Sequence, residues 1–235
     1  MRDLQKIGLD LPVAEAIPTL EKALQDKGLA VLVAPPGAGK TTLVPIRLLG
    51  AHWRGDGTII LLEPRRLAAR AAARRMASML GEEVGQTVGY RMRLDQKTSA
   101  KTRILVVTEG VFARMALDDP ELKGVACVLF DEFHERSLDA DLGLALALDI
   151  RDGLRPDLRL MVMSATLDGA RVGQILGDAP VIEAKGRAFP VEIRHTDRKP
   201  DERLDESMAR AVMGALAAEA GSILAFLPGT GEING

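Results

Sequence analysis

LAVLVAPPGAGKTTLVPIRLLG (29–50) decides the fold. The apolar run LAVLVA turns through PPGAGK and passes into KTTLVPIRLLG, a stretch with helical character. An apolar run without polar alternation reads as a strand covered on both faces. Gly37 and Gly39 allow a turn tighter than residues with a Cβ accept. Working outward, similar runs recur at TIILLE (58–63), RILVVT (103–108), VACVLF (125–130) and LRLMVMS (158–164). Between them RLAARAAARRMASML (66–80) and LDADLGLALALDIRDGL (138–154) read as helices. This alternation predicts an α/β fold with a parallel sheet flanked by helices. Ligands of such sheets gather beyond the carboxyl ends of the strands. There the sequence is chemically unusual, with PPGAGKTT, PRRLAAR, EG, DEFHER and AT following the runs in turn.

The composition sets limits. A chain of 235 residues, 47% hydrophobic and 27% charged, makes one large α/β domain, or one domain and part of another. The net charge of −2 excludes a bulk polycation, so any nucleic-acid contact needs a local basic patch. The single cysteine, Cys127, excludes an internal disulfide and a cysteine-rich zinc site, and reads as a small core residue. The three histidines, His52, His134 and His195, have no ligand spacing that would suit zinc. No segment is long and apolar enough to span a bilayer, and the N-terminus lacks a signal-peptide core. A cytoplasmic protein is the default expectation. From about residue 184 the character changes: a Pro-containing charged stretch, the helix-like LDESMARAVMGALAAEA and a new apolar run, SILAFLPGTGEI. The expected organisation is a first domain over 1–183 and, over 184–235, a linker with the incomplete start of a second.

APPGAGKTT (34–42) is a P-loop signature, with Ala34 where the strict pattern has its first glycine. Gly37, Ala38 and Gly39 wrap backbone amides around a phosphate, Lys40 supplies a mobile cation, and Thr41, followed by Thr42, offers a hydroxyl to Mg²⁺. The dipole of the following helix adds to the attraction. The bland alternative is an ordinary Gly-rich strand–helix turn. A P-loop enzyme also needs an acidic metal site at the end of a neighbouring strand. DEFHER (131–136) ends the run VACVLF with a knot of charges that would be costly if desolvated without a partner. Asp131 is placed to hold Mg²⁺ and Glu132 to orient and deprotonate water. The alternative is a solvated acidic strand end.

Several further stretches carry a family resemblance. DEFH (131–134) resembles the DEAH box of superfamily 2 helicases, and SAT (164–166) their motif III. EPRRLAAR (63–70) resembles motif Ia, TEG (108–110) motif Ib, and VGYRMRLD (88–95) a stretch typical of the DEAH group. GRAFPVE (186–192) resembles the segment joining the two RecA-like domains, and FLPGTGEI (226–233) motif IV. DEFHERSLDAD taken with EPRRLAAR most resembles the bacterial HrpB-type group. The resemblance implies a RecA-like domain plus the start of a second, and an ATP- and Mg²⁺-dependent RNA helicase. Its RNA would be single-stranded or a duplex with an overhang, with DNA open as a second substrate. Lys40, Thr41, Asp131 and Glu132 would carry the ATP chemistry. His134 would link it to Ser164, Ala165 and Thr166, and Arg65, Arg66, Thr108, Glu109 and Gly110 would lie along the nucleic-acid track.

Read without the resemblance, Arg66, Arg70 and Arg74 form a basic stripe at i, i+4 spacing that suits a phosphate backbone or a solvated face. Arg74 and Arg75 read as surface. Scarce aromatics, 3% of the chain, argue against base-stacking platforms. Phe133, in place of the box's alanine, is expected to pack. No QRxGRxGR-like motif VI occurs in the 235 residues, so the chain resembles the N-terminal portion of such an enzyme. The expectation is ATP binding with slow hydrolysis and no unwinding, and exposed apolar faces on 207–218 and 223–227. Two other functions stay open. A transport or signalling P-loop ATPase would lack PRRLAAR and SAT and carry an LSGGQ-like segment. A nucleic-acid-binding module switched by ATP would show ATP-dependent RNA affinity without unwinding.

Overall fold

A computed structural model describes residues 4–165, 169–186 and 191–234. Thr166 and residues 187–190 of the joining segment lie outside the described residues. The chain divides into two compact units, Met1–Arg187 and Ala188–Gly235.

The described residues of the first unit form eight strands. These are β1 (Leu29–Val33), β2 (Thr58–Glu63), β3 (Val88–Met92), β4 (Asp95–Lys97), β5 (Ile104–Thr108), β6 (Val125–Phe130), β7 (Arg159–Ser164) and β8 (Val181–Glu183). They make one sheet in the order β4-β3-β5-β2-β6-β7-β1-β8, parallel except for the β3–β4 hairpin. The five runs read from sequence are all strands within a residue at each end. The period of a strand explains why they lack polar alternation. Ala30, Leu32, Ile59, Leu61, Val106 and Leu129 belong to one apolar layer, whereas Val31, Ile60, Leu62, Val107, Val128 and Phe130 belong to the other. The first layer packs against α1 (Ile17–Asp26), α2 (Lys40–Leu48) and α3 (Arg66–Leu80). The second packs against α4 (Glu109–Asp118), α5 (Leu138–Gly153) and α6 (Gly169–Ile175). Each fully buried Leu or Ile contributes about 1.5–3 kcal/mol from this burial.

The register aligns the carboxyl ends. Val33 pairs with Ser164, Glu63 with Thr108, and Leu62 with Phe130, so Asp131 follows one residue beyond. The chemistry-bearing residues therefore share one edge of the sheet. One expectation is corrected: the acidic strand is not the neighbour of the P-loop strand. β7 lies between β1 and β6. The carboxylates reach the P-loop because α2 begins above this edge.

The second unit, described by itself, holds α7 (Leu204–Ala218) and α8 (Thr230–Asn234). The Arg203 amide donates to Glu206 Oε2 at 3.4 Å, and Arg210 pairs with Glu202 at 2.7 Å. Met213, Leu216, Leu224 and Phe226 are exposed, in line with the apolar faces expected there. No described helix of the chain is long and apolar enough to cross a membrane.

Candidate nucleotide site and adjoining basic groove

Gly37 and Gly39 adopt φ of +79° and +93°, the left-handed region that favours glycine. Ala34, at the position of the signature's first glycine, is buried, and its amide donates to the Ser164 carbonyl at 3.0 Å. The Ala38 amide donates to the Pro35 carbonyl at 3.2 Å, and the Ala38 carbonyl accepts from Val13 at 3.0 Å, which fixes the loop from both sides. Gly39 caps α2, whose first-turn amides at Lys40 and Thr41 have no preceding helical turn to donate to. They and the helix dipole make an anion site.

Lys40 is buried, with Nζ 2.8 Å from Glu132 Oε1. The Thr41 hydroxyl donates to Asp131 Oδ2, and Asp131 Oδ1 accepts from the Glu132 amide at 2.8 Å. Glu132 has φ +49° and ψ +33°, a conformation uncommon for a residue with a side chain. His134 faces the other oxygen of Glu132, Nε2 to Oε2 at 3.4 Å, and its Nδ1 accepts from the Ala165 amide at 3.3 Å. The proton therefore sits on Nε2 and points at Glu132. Phe133 is buried edge-on to Phe130, with ring centroids 6.4 Å apart. It packs, as expected.

Glu63, at the end of β2, is as buried as Asp131. Burial raises its carboxyl to about 8, with the charges of Asp131 and Glu132 adding to the effect. Burial also raises Asp131, against the Thr41 hydrogen bond and the Lys40 charge. Three carboxyl groups thus crowd one ammonium, and a bound cation would favour their charged forms. The donor set fits Mg²⁺: one carboxylate beside one hydroxyl, which suits an ion held by few protein oxygens and by substrate phosphates. Among the described residues no group of three or more His, Cys, Asp or Glu forms a metal cage.

A cavity of about 310 Å³ is lined by Pro36, Gly37, Gly39, Lys40, Thr41, Thr42 and Glu132. A second, of about 460 Å³, shares Thr41, Thr42 and Glu132 and adds Glu63, Arg65 and Glu135. Arg75 is exposed, as read from sequence, and it borders both cavities. Ala68, Ala71 and Ala72 line the second cavity beside it, and these small side chains on one helical face were the readable clue. Glu63 had a clue too, since it ends an apolar run as Asp131 does.

A separate groove of about 680 Å³ brings Arg66 together with Thr108, Glu109 and Gly110. Arg91, Arg93 and Arg114 add positive charge that sequence reading did not single out, set against the carboxylates of Glu109, Asp118 and Asp139 in the same lining, with Arg114 paired to Asp118 at 2.9 Å. Arg65 does not line this groove; it opens onto the nucleotide side. Two links run from the DEFHERS segment to its surroundings. Ser137 Oγ donates to Glu109 Oε2 at 2.5 Å while accepting from the Ala140 amide at 2.9 Å. Arg65 Nη2 donates to both oxygens of Glu135, at 3.0 and 3.1 Å.

Residues 14–175 match the DEAD/DEAH box helicase family. The chain belongs to this family. It is 54% identical to the ATP-dependent RNA helicase HrpB of Escherichia coli (strain K12), over 95% of this chain and 27% of that protein. It is 32% identical to the probable ATP-dependent RNA helicase DHR2 of Saccharomyces cerevisiae (strain ATCC 204508 / S288c), over 99% of this chain and 32% of that protein. The crystal structure of the Escherichia coli DEAH/RHA helicase HrpB superposes with a TM-score of 0.87 at 53% identity, over 95% of this chain and 28% of that one. The first unit accordingly has the RecA-like helicase fold. The chain spans roughly a quarter to a third of the length of these relatives.

Proposed function

We propose that this chain carries the nucleotide-binding part of an ATP-dependent RNA helicase of the DEAH type, in which ATP hydrolysis drives movement on, or remodelling of, RNA. The observation that carries the reading is the convergence of Lys40, Thr41, Asp131 and Glu132, with His134 reaching from Glu132 to the Ala165 amide. Phosphates entering the loop take Lys40 from Glu132. Glu132, so released, orients water and accepts its proton. His134 holds Glu132 and ties its position to the Ala165 amide beyond β7, and Ser164 and Ala165, with Thr166 next in sequence, couple the reaction to strand movement. Thr41 and Asp131 would hold Mg²⁺, which when bound neutralises phosphate charge.

The basic groove suits a nucleic-acid backbone, with Arg66, Thr108, Glu109 and Gly110 along it and Arg65 at its margin. The substrate is RNA, single-stranded or with an overhang, and DNA is a second candidate. Residues 184–235 form a linker and the start of a second RecA-like domain, and the protein works in the cytoplasm. The test is ATP hydrolysis with and without single-stranded RNA, beside Lys40→Ala. A Lys40-dependent rate that rises with RNA is expected. A rate indifferent to RNA, with RNA affinity that still responds to ATP, favours the ATP-switched binding module instead.

A further inference from the structure

Two consecutive arginines open onto different cavities. Arg66 lines the basic groove, while Arg65 lines the cavity that holds Thr41, Thr42 and Glu132. Arg65 is extended, with φ −118° and ψ 130°, and Arg66 is the first residue of α3. The two side chains diverge from neighbouring Cα atoms joined by one peptide group, so a backbone displacement at Arg66 reaches Arg65.

Arg65 grips Glu135 through both carboxylate oxygens. The Glu135 amide donates to the Glu132 carbonyl at 2.9 Å, closing the short turn Phe133–Glu135. Glu132 opens that turn in its left-handed conformation, with its carboxylate held by Lys40. In this arrangement Lys40 and Glu132 occupy each other; phosphates that take Lys40 release the Glu132 carboxylate, and the turn sets where that released carboxylate points. A side-chain-bearing residue at positive φ occupies a narrow well, so its movement is a discrete step.

We infer that Arg65 and Glu135 are a positioning pair that reports occupancy of the basic groove to Glu132, an inference that rests on the function proposed above. A phosphate backbone drawn to Arg66 shifts the 65–66 peptide. Arg65 passes the shift to Glu135, and the turn carries it to Glu132. The side chains of the pair are 72% and 37% exposed, so the ion pair contributes little to folding and its removal leaves the fold intact.

The experiment measures the Kd of a fluorescent ATP analogue with Mg²⁺, with and without saturating single-stranded RNA. The ratio is the coupling factor, and by linkage the same factor governs RNA binding with and without nucleotide. The expected factor for the native chain is about fivefold or more. Glu135→Gln should bring it to about unity while both ligands still bind saturably, the ratio being taken within the variant so that any change in its own nucleotide affinity cancels. Arg65→Glu alone should lose the coupling, and Arg65→Glu combined with Glu135→Arg should regain at least about half of it. A factor that survives Glu135→Gln overturns the inference, as does an exchanged pair that regains nothing. So does a native chain that binds both ligands with a factor of one. A native chain that binds neither ligand defeats the functional proposal itself, and this inference with it.

Discussion

Replacing Glu63 by Gln should stabilise the nucleotide-free chain near neutral pH. Glu63 is 3% exposed at the end of β2, and burial, with Asp131 and Glu132 nearby, raises its carboxyl from 4.5 to about 8. Between those values the folded chain holds a proton that the unfolded chain has lost. Stability therefore falls as pH rises, by about 1.4 kcal/mol per pH unit for this group. The penalty is absent below about pH 4.5 and complete above about pH 8. At pH 7 the window already crossed is roughly 2.5 units, an upper bound of about 3.5 kcal/mol, and relaxation of the site leaves roughly 2 kcal/mol. Gln has nearly the same shape and no charge to desolvate. Its melting temperature should exceed the native value by about 4–8 °C at pH 7. Urea unfolding of both chains from pH 4.5 to pH 8 checks this, with the two curves converging at the acid end. A Gln variant that is less stable at pH 7, or more stable by the same amount at every pH, would refute the burial argument.

Other outcomes follow from the same geometry. Glu132→Gln should keep nucleotide binding while lowering any ATP hydrolysis by about 10²–10⁴, measured by phosphate release. Gly39→Ala places a Cβ 2.9 Å from Leu11 Cδ1 at a φ of +93°. It should cost about 1–2 kcal/mol in urea unfolding and weaken nucleotide binding. Phe133→Ala empties a buried site between Phe130 and the Arg136 guanidinium and should cost about 3–4 kcal/mol by the same measurement.

The legible parts of the fold were those whose physics is local. β1, β2, β5, β6 and β7 are buried along nearly their whole length, so their composition alone identified them. β4 and β8 are three-residue edge strands with mixed exposure, and β3 alternates too weakly to be read as more than part of VGYRMRLD. Helices α1 and α4 were less legible because each is only 10 residues long and α1 has a proline in its first turn. The residues proposed for the nucleotide stood out because a Gly-rich turn and a charged strand end are rare in sequence. Strand order was not legible, since it follows from packing between distant segments. That is why β7 between β1 and β6, and the divergence of Arg65 from Arg66, came only from the structure.

The central claim is that the P-loop and the DEFH carboxylates form one Mg²⁺–ATP site. The most direct test is equilibrium binding of ATP in the presence of Mg²⁺ to the native chain and to Lys40→Ala, with circular dichroism to confirm that both are folded. Lys40→Ala removes a buried ammonium 2.8 Å from Glu132 and leaves the backbone amides to hold the phosphates against uncompensated carboxylates. The account predicts saturable, Mg²⁺-dependent binding by the native chain and at least about 100-fold weaker binding by the variant. Equal affinity of the two folded chains would contradict it.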